Sequence, residues 1–427
     1  MTIDSGWVKL LKKNAPEAFS DALPEKPEVV FIDGQIKLMK GEHVRTWEAF
    51  LQSQFVNTIE HGFSLGARTV VLGFDDYQHV PRSKNMTQSK RNKSVPTVTF
   101  DETQSLPAQP PEDWNAAMRN RTFKIKVITF IVNSLKHHYR GEDRHSVVLD
   151  FCGTPLVVCG DYKLPPMFDA CAEDAVGFRR GECDIKAPNW IPASGTLLLV
   201  STDGDFIPIA LIQLEKRLQA EGRTGNILIH HIKTKVQEAS KRPRLGSQKR
   251  EYEYVNVQLL LGYLASEFPK TETPARFFSC LVALTGCDFC MNLPAVGPTK
   301  LWAIRHTLGK NELHSSYDIM GALLQVYYIA FGHRSRGVDK DLRLAVCDTS
   351  TARDAYAQLV VRVQNSAQVA QRTKESLWTS ERLVAHVCNT MWTMQYWTQL
   401  HEYPDPLAGN FGYETRNNLV RFVAQPV

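Results

Sequence analysis

No apolar stretch of the sequence approaches the roughly 20 residues that a helix needs to cross a bilayer, so a membrane partner is not expected. The opening residues, MTIDSGWVKLLKKNAPEAF, hold neither the apolar core nor the small-residue cleavage site of a secretory leader. An intracellular setting is therefore expected. Cysteine is sparse and odd in number. The nine are scattered through apolar runs such as VVLDFCGTPLVVCG, which excludes a fully paired disulfide framework and fits reduced thiols in cytosol or nucleus. Cys287 and Cys290 form a lone C-x-x-C without a second pair or a histidine pair at zinc spacing. They read better as small buried hydrophobes than as zinc ligands. There is no internal repeat and no strong excess of one charge. The net charge of +5 permits a nucleic-acid partner without demanding one.

What is present points to a globular α/β protein. Hydrophobic residues make up 43% of the 427 and charged residues 22%, ordinary values that allow one large domain with an appendage. Four short runs, EVVFID, TVVLGFD, SVVLDF and TLLLVSTD, are continuously apolar, with no alternation. Such runs suit strands covered on both faces, as in a parallel sheet. VRTWEAFLQSQFVNTIEHGFSLG lies between the first two and RTFKIKVITFIVNSLKHHY precedes the third; both read as helices, and YVNVQLLLGYLASEF as another. Strand, helix and strand at this pitch predict a doubly wound, mostly parallel sheet flanked by helices. VTFDETQSLPAQPPEDW and TKVQEASKRPRLGSQKREYE read as surface insertions. From about residue 310 the chain turns helical and aromatic. The Trp, Met and Leu spacing there suits a core better than a stacking platform.

All four runs end in, or within a residue of, an aspartate: Asp33, Asp75, Asp150 and Asp203. Ligands of open α/β sheets bind outside the carboxyl ends of the strands. An aspartate ending one strand is commonly a turn former or helix cap. Four on one edge repel one another unless a cation neutralises them, which favours a metal site. The densest signal is LLLVSTDGDFIPIALIQL, in which Asp203 and Asp205 flank Gly204 and are expected to turn toward a common cavity. GECDIKAPNW supplies Glu182 and Asp184 at the same spacing, and Asp288 ends CLVALTGCD. Glu173 and Asp174 form a rival acidic pair, and Asp150 is left as a supporting group or cap.

In order along the chain, SGWVKLLKKNAPEAF, VVFIDG, VVLGFDD, GECD, STDGDFI and LTGCDFCMNLPAVGPTKLW resemble the motifs of the flap endonuclease/XPG family of PIN-like, structure-specific 5′ nucleases, over roughly residues 5–310. GECDIK also resembles the 5′→3′ exoribonucleases, which share that catalytic core. The resemblance implies a PIN-like domain over 1–310, with an arch-like region near 80–125 and a helix-two-turn-helix near 285–305, and a helical C-terminal extension over 311–427. It implies that Asp33, Asp75, Glu182, Asp184, Asp203, Asp205 and Asp288 hold two Mg²⁺ ions, with Mn²⁺ able to substitute. Carboxylates suit these hard cations, and two such ions can activate water and stabilise the leaving oxygen of a phosphodiester.

The resemblance further implies that NLPAVGPTK, with Gly297, Thr299 and Lys300, grips duplex backbone through close approach, helix-start amides and a charge without base specificity. Lys90, Arg91 and Lys93 of PRSKNMTQSKRNK, with Lys84 a weaker candidate, correspond to arch residues that steer the 5′ strand. Pro188 and Pro192 are expected to shorten the helix after the paired acids. The prolines after residue 93 depart from a continuous helical arch. The expected partner is DNA with a duplex and a single-stranded 5′ end, at flaps, nicks or branches in replication, repair or recombination. RNA is the alternative substrate, and a non-catalytic nucleic-acid scaffold the alternative role. The C-terminal extension leaves room for a protein partner. KRPR at 241–244 is compatible with nuclear import, and no sliding-clamp peptide is present.

Charge aimed at a scissile phosphate acts mainly in the transition state. The double variant Lys90→Ala/Arg91→Ala is therefore expected to slow cleavage of end-labelled flap DNA more than it weakens binding in Ca²⁺. Equal losses in rate and affinity would reduce both residues to plain backbone contacts.

Overall fold

The computed structural model of the chain describes residues 5–41, 44–75, 100, 103, 105–151, 155–164, 182–222, 225–232, 252–287, 290, 293–294, 296–303, 305–308, 319, 323–324, 327, 349–365, 367, 371–399, 413–416 and 419–422. One eight-stranded, mostly parallel sheet organises it. The strands are β1 (Phe19–Ser20), β2 (Val29–Asp33), β3 (Thr69–Gly73), β4 (Ser146–Asp150), β5 (Leu156–Cys159), β6 (Thr196–Ser201), β7 (Asn226–Ile232) and β8 (Tyr252–Asn256), in the order β1-β8-β7-β6-β2-β3-β4-β5. The five central strands, β7-β6-β2-β3-β4, are parallel; β8 and β5 run antiparallel to their inner neighbours, and β1 pairs antiparallel with β8.

The four apolar runs are β2, β3, β4 and β6, four of the five central parallel strands. Their lack of alternation comes from burial on both faces. Along β2, Val29 and Phe31 join one hydrophobic cluster and Val30 and Ile32 the other; along β6, Leu197 and Leu199 divide from Leu198 in the same way. The helical stretch Trp47–Ser64, whose middle is a π-helical segment over Leu51–Val56, covers one face together with the helix Arg121–His138. The helices Phe206–Glu221, Val257–Glu267 and Pro274–Thr285 cover the other.

YVNVQLLLGYLASEF differs from the expected single helix. Tyr252–Asn256 pairs with β7 as a strand, and the helix starts only at Val257, where the Asn256 side chain accepts a bond from Leu259 N at 3.1 Å. Pairing with β7 on one side and β1 on the other, helped by Tyr254 stacked on His230, overrides the helical pattern. Pro188 sits at the start of a 3-10 turn, Ala187–Trp190, directly after the one-turn helix Cys183–Lys186, so the helix is short as the prolines predict. Of the two expected surface insertions, the basic one lies almost wholly outside the described residues, but most of the proline-rich one is described and ends in the core: Trp47 Nε1 donates to the carbonyl of Pro107 at 2.8 Å, and Asp113 caps the one-turn helix Trp114–Ala117, whose Trp114 is buried. No described helix is long and apolar enough to cross a membrane.

The helix Ser380–Gln399 belongs to the same core as the sheet-covering helices. Trp392, Met394 and Trp397 are buried in it, as core residues and not as an exposed stacking surface. Gln213 Nε2 donates to the carbonyl of Trp397 at 2.7 Å. A two-stranded antiparallel hairpin, Tyr413–Arg416 with Leu419–Phe422, comes next, in a region whose sequence pattern reads as helical.

His386 of the same helix is fully buried, and its Nε2 donates to the carbonyl of Leu284 at 3.0 Å, satisfying one of the orphan carbonyls near the end of Pro274–Thr285. Burial pushes the imidazole pKa down to about 4 from its ordinary 6.5, so the ring is neutral. The folded value lies below the unfolded one. Its contribution to stability is therefore present above pH 6.5 and lost as pH falls from 6.5 toward 4. His386→Phe is expected to cost about 1–3 kcal/mol at pH 8 by orphaning that carbonyl. The gap between wild type and variant, tracked by thermal melts, should narrow as pH falls through that window. A gap independent of pH would show that the imidazole titrates normally.

Candidate active site

The strand order reverses between β2 and β6: β3 and β4 continue outward on one side of β2, and β7 on the other side of β6. Such a switch point opens a crevice at the carboxyl ends of the strands. Ile32 pairs with Val200, so Asp33 stands level with Ser201 across that crevice. Ser201 Oγ donates to Asp33 Oδ2 at 3.1 Å and accepts from Asp203 N at 3.0 Å, which ties the two strand ends together. Asp33 Oδ1 accepts from Gln35 N at 2.9 Å and caps the short helix Gly34–Leu38.

The DGD turn is not built as expected. Gly204 is not among the described glycines with positive φ, so it does not use the freedom that its lack of a side chain offers. The turn is closed by the aspartate itself: Asp205 N donates to Asp203 Oδ1 at 3.0 Å, an Asx-type turn. Asp205 then occupies the N-cap position of Phe206–Glu221 but makes no side-chain cap bond, and it is only 1% exposed. Glu182 likewise stands at the N-cap of Cys183–Lys186 without capping it. The ordinary cap explanation thus accounts for Asp33 and not for Glu182 or Asp205.

Asp75 lies two residues beyond β3 and reaches a distant segment, accepting from Cys183 N at 2.9 Å. This approach depends on Gly73. A Cβ there would come within 2.3 Å of the Phe31 ring and 2.7 Å of Cys183 Sγ, so any side chain would push the acidic turn away from β3. Asp184, 6% exposed, accepts from Ile185 N at 2.8 Å.

The electrostatics show which acids share a site. Burial, then Asp75 and Asp203, push the Asp33 carboxyl up to about 7, against the opposing bonds from Gln35 and Ser201. Burial, then Asp203, with Cys287 and Glu182 adding, pushes Asp205 well above the usual carboxylate range. Asp33, Asp75, Glu182, Asp203 and Asp205 therefore form one interacting set, drawn from four separate segments of the chain. Asp184 is on the same one-turn helix as Cys183, whose thiol is pushed well up by burial and by Asp33 and Asp75. Asp288, Lys84, Lys90, Arg91, Lys93, Glu173 and Asp174 lie outside the described residues.

The donor set is carboxylate oxygen, the chemistry that Mg²⁺ and Mn²⁺ prefer, and the part of the raised Asp33 pKa that burial does not cause comes from Asp75 and Asp203, charges a divalent cation would offset. Even so, among the described residues no three His, Cys, Asp or Glu side chains are grouped so as to hold a metal ion. Asp33, Asp75, Asp184 and Asp203 are each turned onto a main-chain amide.

Thr299 and Lys300 are exposed on the short helix Pro298–Ala303, and a Cβ at Gly297 would meet nothing within 4 Å. The helix is braced by Arg305, which stacks 4.5 Å over Trp302 and bonds Glu267 at 2.7 Å.

Two groups of the site escape the sequence reading. Ser201 stands two residues before Asp203 in VSTD, where a hydroxyl can both donate and accept; that spacing is a readable signal. Lys186 carries no such signal, because a lysine on a short polar turn reads as a surface charge, whereas it is 2% exposed. Asp150, expected as a support or cap, is fully buried and accepts from Trp190 Nε1 at 2.9 Å, with Lys186 Nζ 3.8 Å away.

No protein-family model matches the sequence, and no curated protein matches it. Among solved structures, the crystal structure of the T5 D15 protein co-crystallised with metal ions aligns with 85% of this chain and 99% of its own, at 11% identity and a TM-score of 0.32. A likeness that low adds nothing to the chemistry of the site, which rests on the geometry above.

The folded pKa of Asp33 lies above the unfolded value, so the fold takes up the extra proton. Its contribution to stability is full below about pH 4 and is lost as pH rises toward 7. In metal-free buffer Asp33→Asn should melt higher than wild type at pH 8 and lose less stability between pH 4 and 8. Parallel melting curves for the two proteins across that range would show that Asp33 carries no such strain.

Proposed function

We propose that the chain is a divalent-metal-dependent 5′ nuclease that hydrolyses DNA phosphodiesters at flaps, nicks or branches, organised like the flap endonuclease/XPG family its motifs resemble. The observation that carries this reading is the convergence of Asp33, Asp75, Glu182, Asp203 and Asp205, from four segments of the chain, on the switch point of one parallel sheet, close enough to act on one another's charge. A cluster of this sign repels a phosphodiester and can face one only across cations. Bound Mg²⁺ or Mn²⁺ would supply neutralisation of the phosphate and activation of water.

The protein's own contribution is orientation. Asp33, Asp75, Glu182, Asp184, Asp203 and Asp205, with Asp288, are the proposed ligands. Ser201 and the amides of Gln35, Cys183 and Asp205 hold four carboxylate oxygens in fixed directions, as supporting groups do in metal sites. Cys287, just beyond Pro274–Thr285, lies close enough to add to the raised pKa of Asp205, which supports a helix-two-turn-helix that starts beside the acid cluster. Gly297, Thr299 and Lys300 are proposed to hold duplex backbone, and Lys90, Arg91 and Lys93 to steer the 5′ strand.

Asp203→Asn tests the reading. An asparagine oxygen can still accept from Asp205 N, so the turn survives while one charge is lost. Cleavage in Mg²⁺ should fall by orders of magnitude. Flap-DNA binding in Ca²⁺ should be retained, and the melting temperature should stay level or rise slightly as repulsion is relieved. The assay uses end-labelled flap, nicked and single-stranded DNA and RNA. Near-wild-type cleavage by the variant would sink the metal-nuclease reading. Preferential degradation of RNA would move the protein to the exoribonuclease class, and a wild type inert on every substrate would make it a binding scaffold.

A further inference from the structure

We propose that Lys186 is the positioning residue of the acid site, its buried ammonium holding the turn that carries Glu182 and Asp184 against the carboxyl ends of β3 and β4. The inference rests on the metal-site reading above and assigns to it a residue that touches no substrate. Lys186 Nζ donates to the carbonyl of Phe74 at 2.8 Å and to that of Phe151 at 2.7 Å. Phe74 immediately precedes Asp75, and Phe151 comes directly after Asp150, the last residue of β4. Two neighbouring strand ends are therefore gripped by one side chain. Asp150 supplies the counter-charge, and Trp190 fixes the other oxygen of that carboxylate.

The same two segments are joined a second time, by Cys183 N to Asp75 Oδ1 at 2.9 Å. Cys183 lies between Glu182 and Asp184. The ammonium–carbonyl bonds and this amide–carboxylate bond together set how far the acidic turn stands from Asp75. A one-turn helix cannot hold that position by its own hydrogen bonds, because Ile185 N and Lys186 N to Glu182 O, and Ala187 N to Cys183 O, tie the turn to itself and not to the strand ends.

Stability alone does not explain a buried lysine here. Replacing a buried ion pair by apolar groups of similar shape is often neutral or stabilising, whereas removing one partner leaves an uncompensated charge. The pair Asp150→Asn/Lys186→Met leaves no lone buried charge but orphans the carbonyls of Phe74 and Phe151, so it should still melt cooperatively, at a lower temperature than wild type, while the acidic turn loses its tether.

The test is Mn²⁺ binding to the full-length chain, read by titration calorimetry without substrate. Wild type should bind Mn²⁺, and Asp150→Asn/Lys186→Met should bind about tenfold more weakly or worse, the usual effect of losing a supporting contact. Trp190→Phe is the control: it removes the bond to Asp150 and leaves a cavity, but keeps Lys186 on both carbonyls. It should melt lower and bind Mn²⁺ as wild type does. Unchanged affinity in the double variant, or an equal loss in Trp190→Phe, would overturn the assignment to Lys186 while leaving the metal site in place. A wild type that binds no Mn²⁺ would remove the metal reading and this inference together, and the wild-type arm alone would show it. Should the double variant lack a cooperative melt, Lys186→Arg decides. It keeps the charge but puts a wider, planar guanidinium where a compact ammonium is buried, which shifts the turn relative to the two carbonyls, so weaker Mn²⁺ binding is expected and wild-type affinity would overturn the proposal.

Discussion

Five carboxylates repel one another across a single crevice, and the architecture around them serves to keep them there. No flexible loop could hold such a set, because the acids would swing apart into water. Asp33 ends β2, Asp203 lies two residues past β6, and Asp75 two residues past β3. These three strands are neighbours in register, with both faces covered by helices. Packing makes the strand ends rigid, so burial first and neighbouring charge second raise the pKa of Asp33 and Asp205 instead of driving the acids apart.

The secondary contacts share a pattern. Asp33, Asp75, Asp184 and Asp203 all accept main-chain amides, and Ser201 bridges two of them. Amides have fixed directions and no charge to compete for a cation, so they orient a carboxylate without neutralising it. The full charge of Lys186 is spent on two carbonyls and on Asp150, beneath the acids.

The inner sheet is legible in the sequence because burial on both faces leaves an unmistakable run of Val, Leu, Ile and Phe. β7 and β8 are not. NILIHHI is broken by two histidines and YEYVN alternates, since one serves the stacked pair His230–Tyr254 and the other lies near the sheet margin. Likewise Asp33, Asp75 and Asp203 can be found by looking at the residues just past each apolar run. The spacing of Asp203 and Asp205 is visible too, but not its cause, which is an Asx turn and not glycine geometry. The constraint on Gly73 cannot be read at all, because it arises from Phe31 and Cys183, which only the fold brings over it. Nor can the acceptors of Lys186, two main-chain carbonyls that no side-chain pattern announces.

The core that includes Trp7 also includes Trp397. The ring of Trp7 packs edge-on to Phe278 and Trp302, its Nε1 bonds Thr285, and the helix bearing Trp397 lies against the far side of the same helical layer. This layer is the one that carries Asp205 at one helix start and leads toward Asp288 at another helix end. During synthesis, nearly four hundred residues must leave the ribosome before its two outermost indoles can belong to one core. Until then the helices Phe206–Glu221 and Pro274–Thr285, which already cover the sheet, lack the cover that Ser380–Gln399 gives them. The nascent chain therefore leaves apolar residues of that layer uncovered until its last long helix has been made.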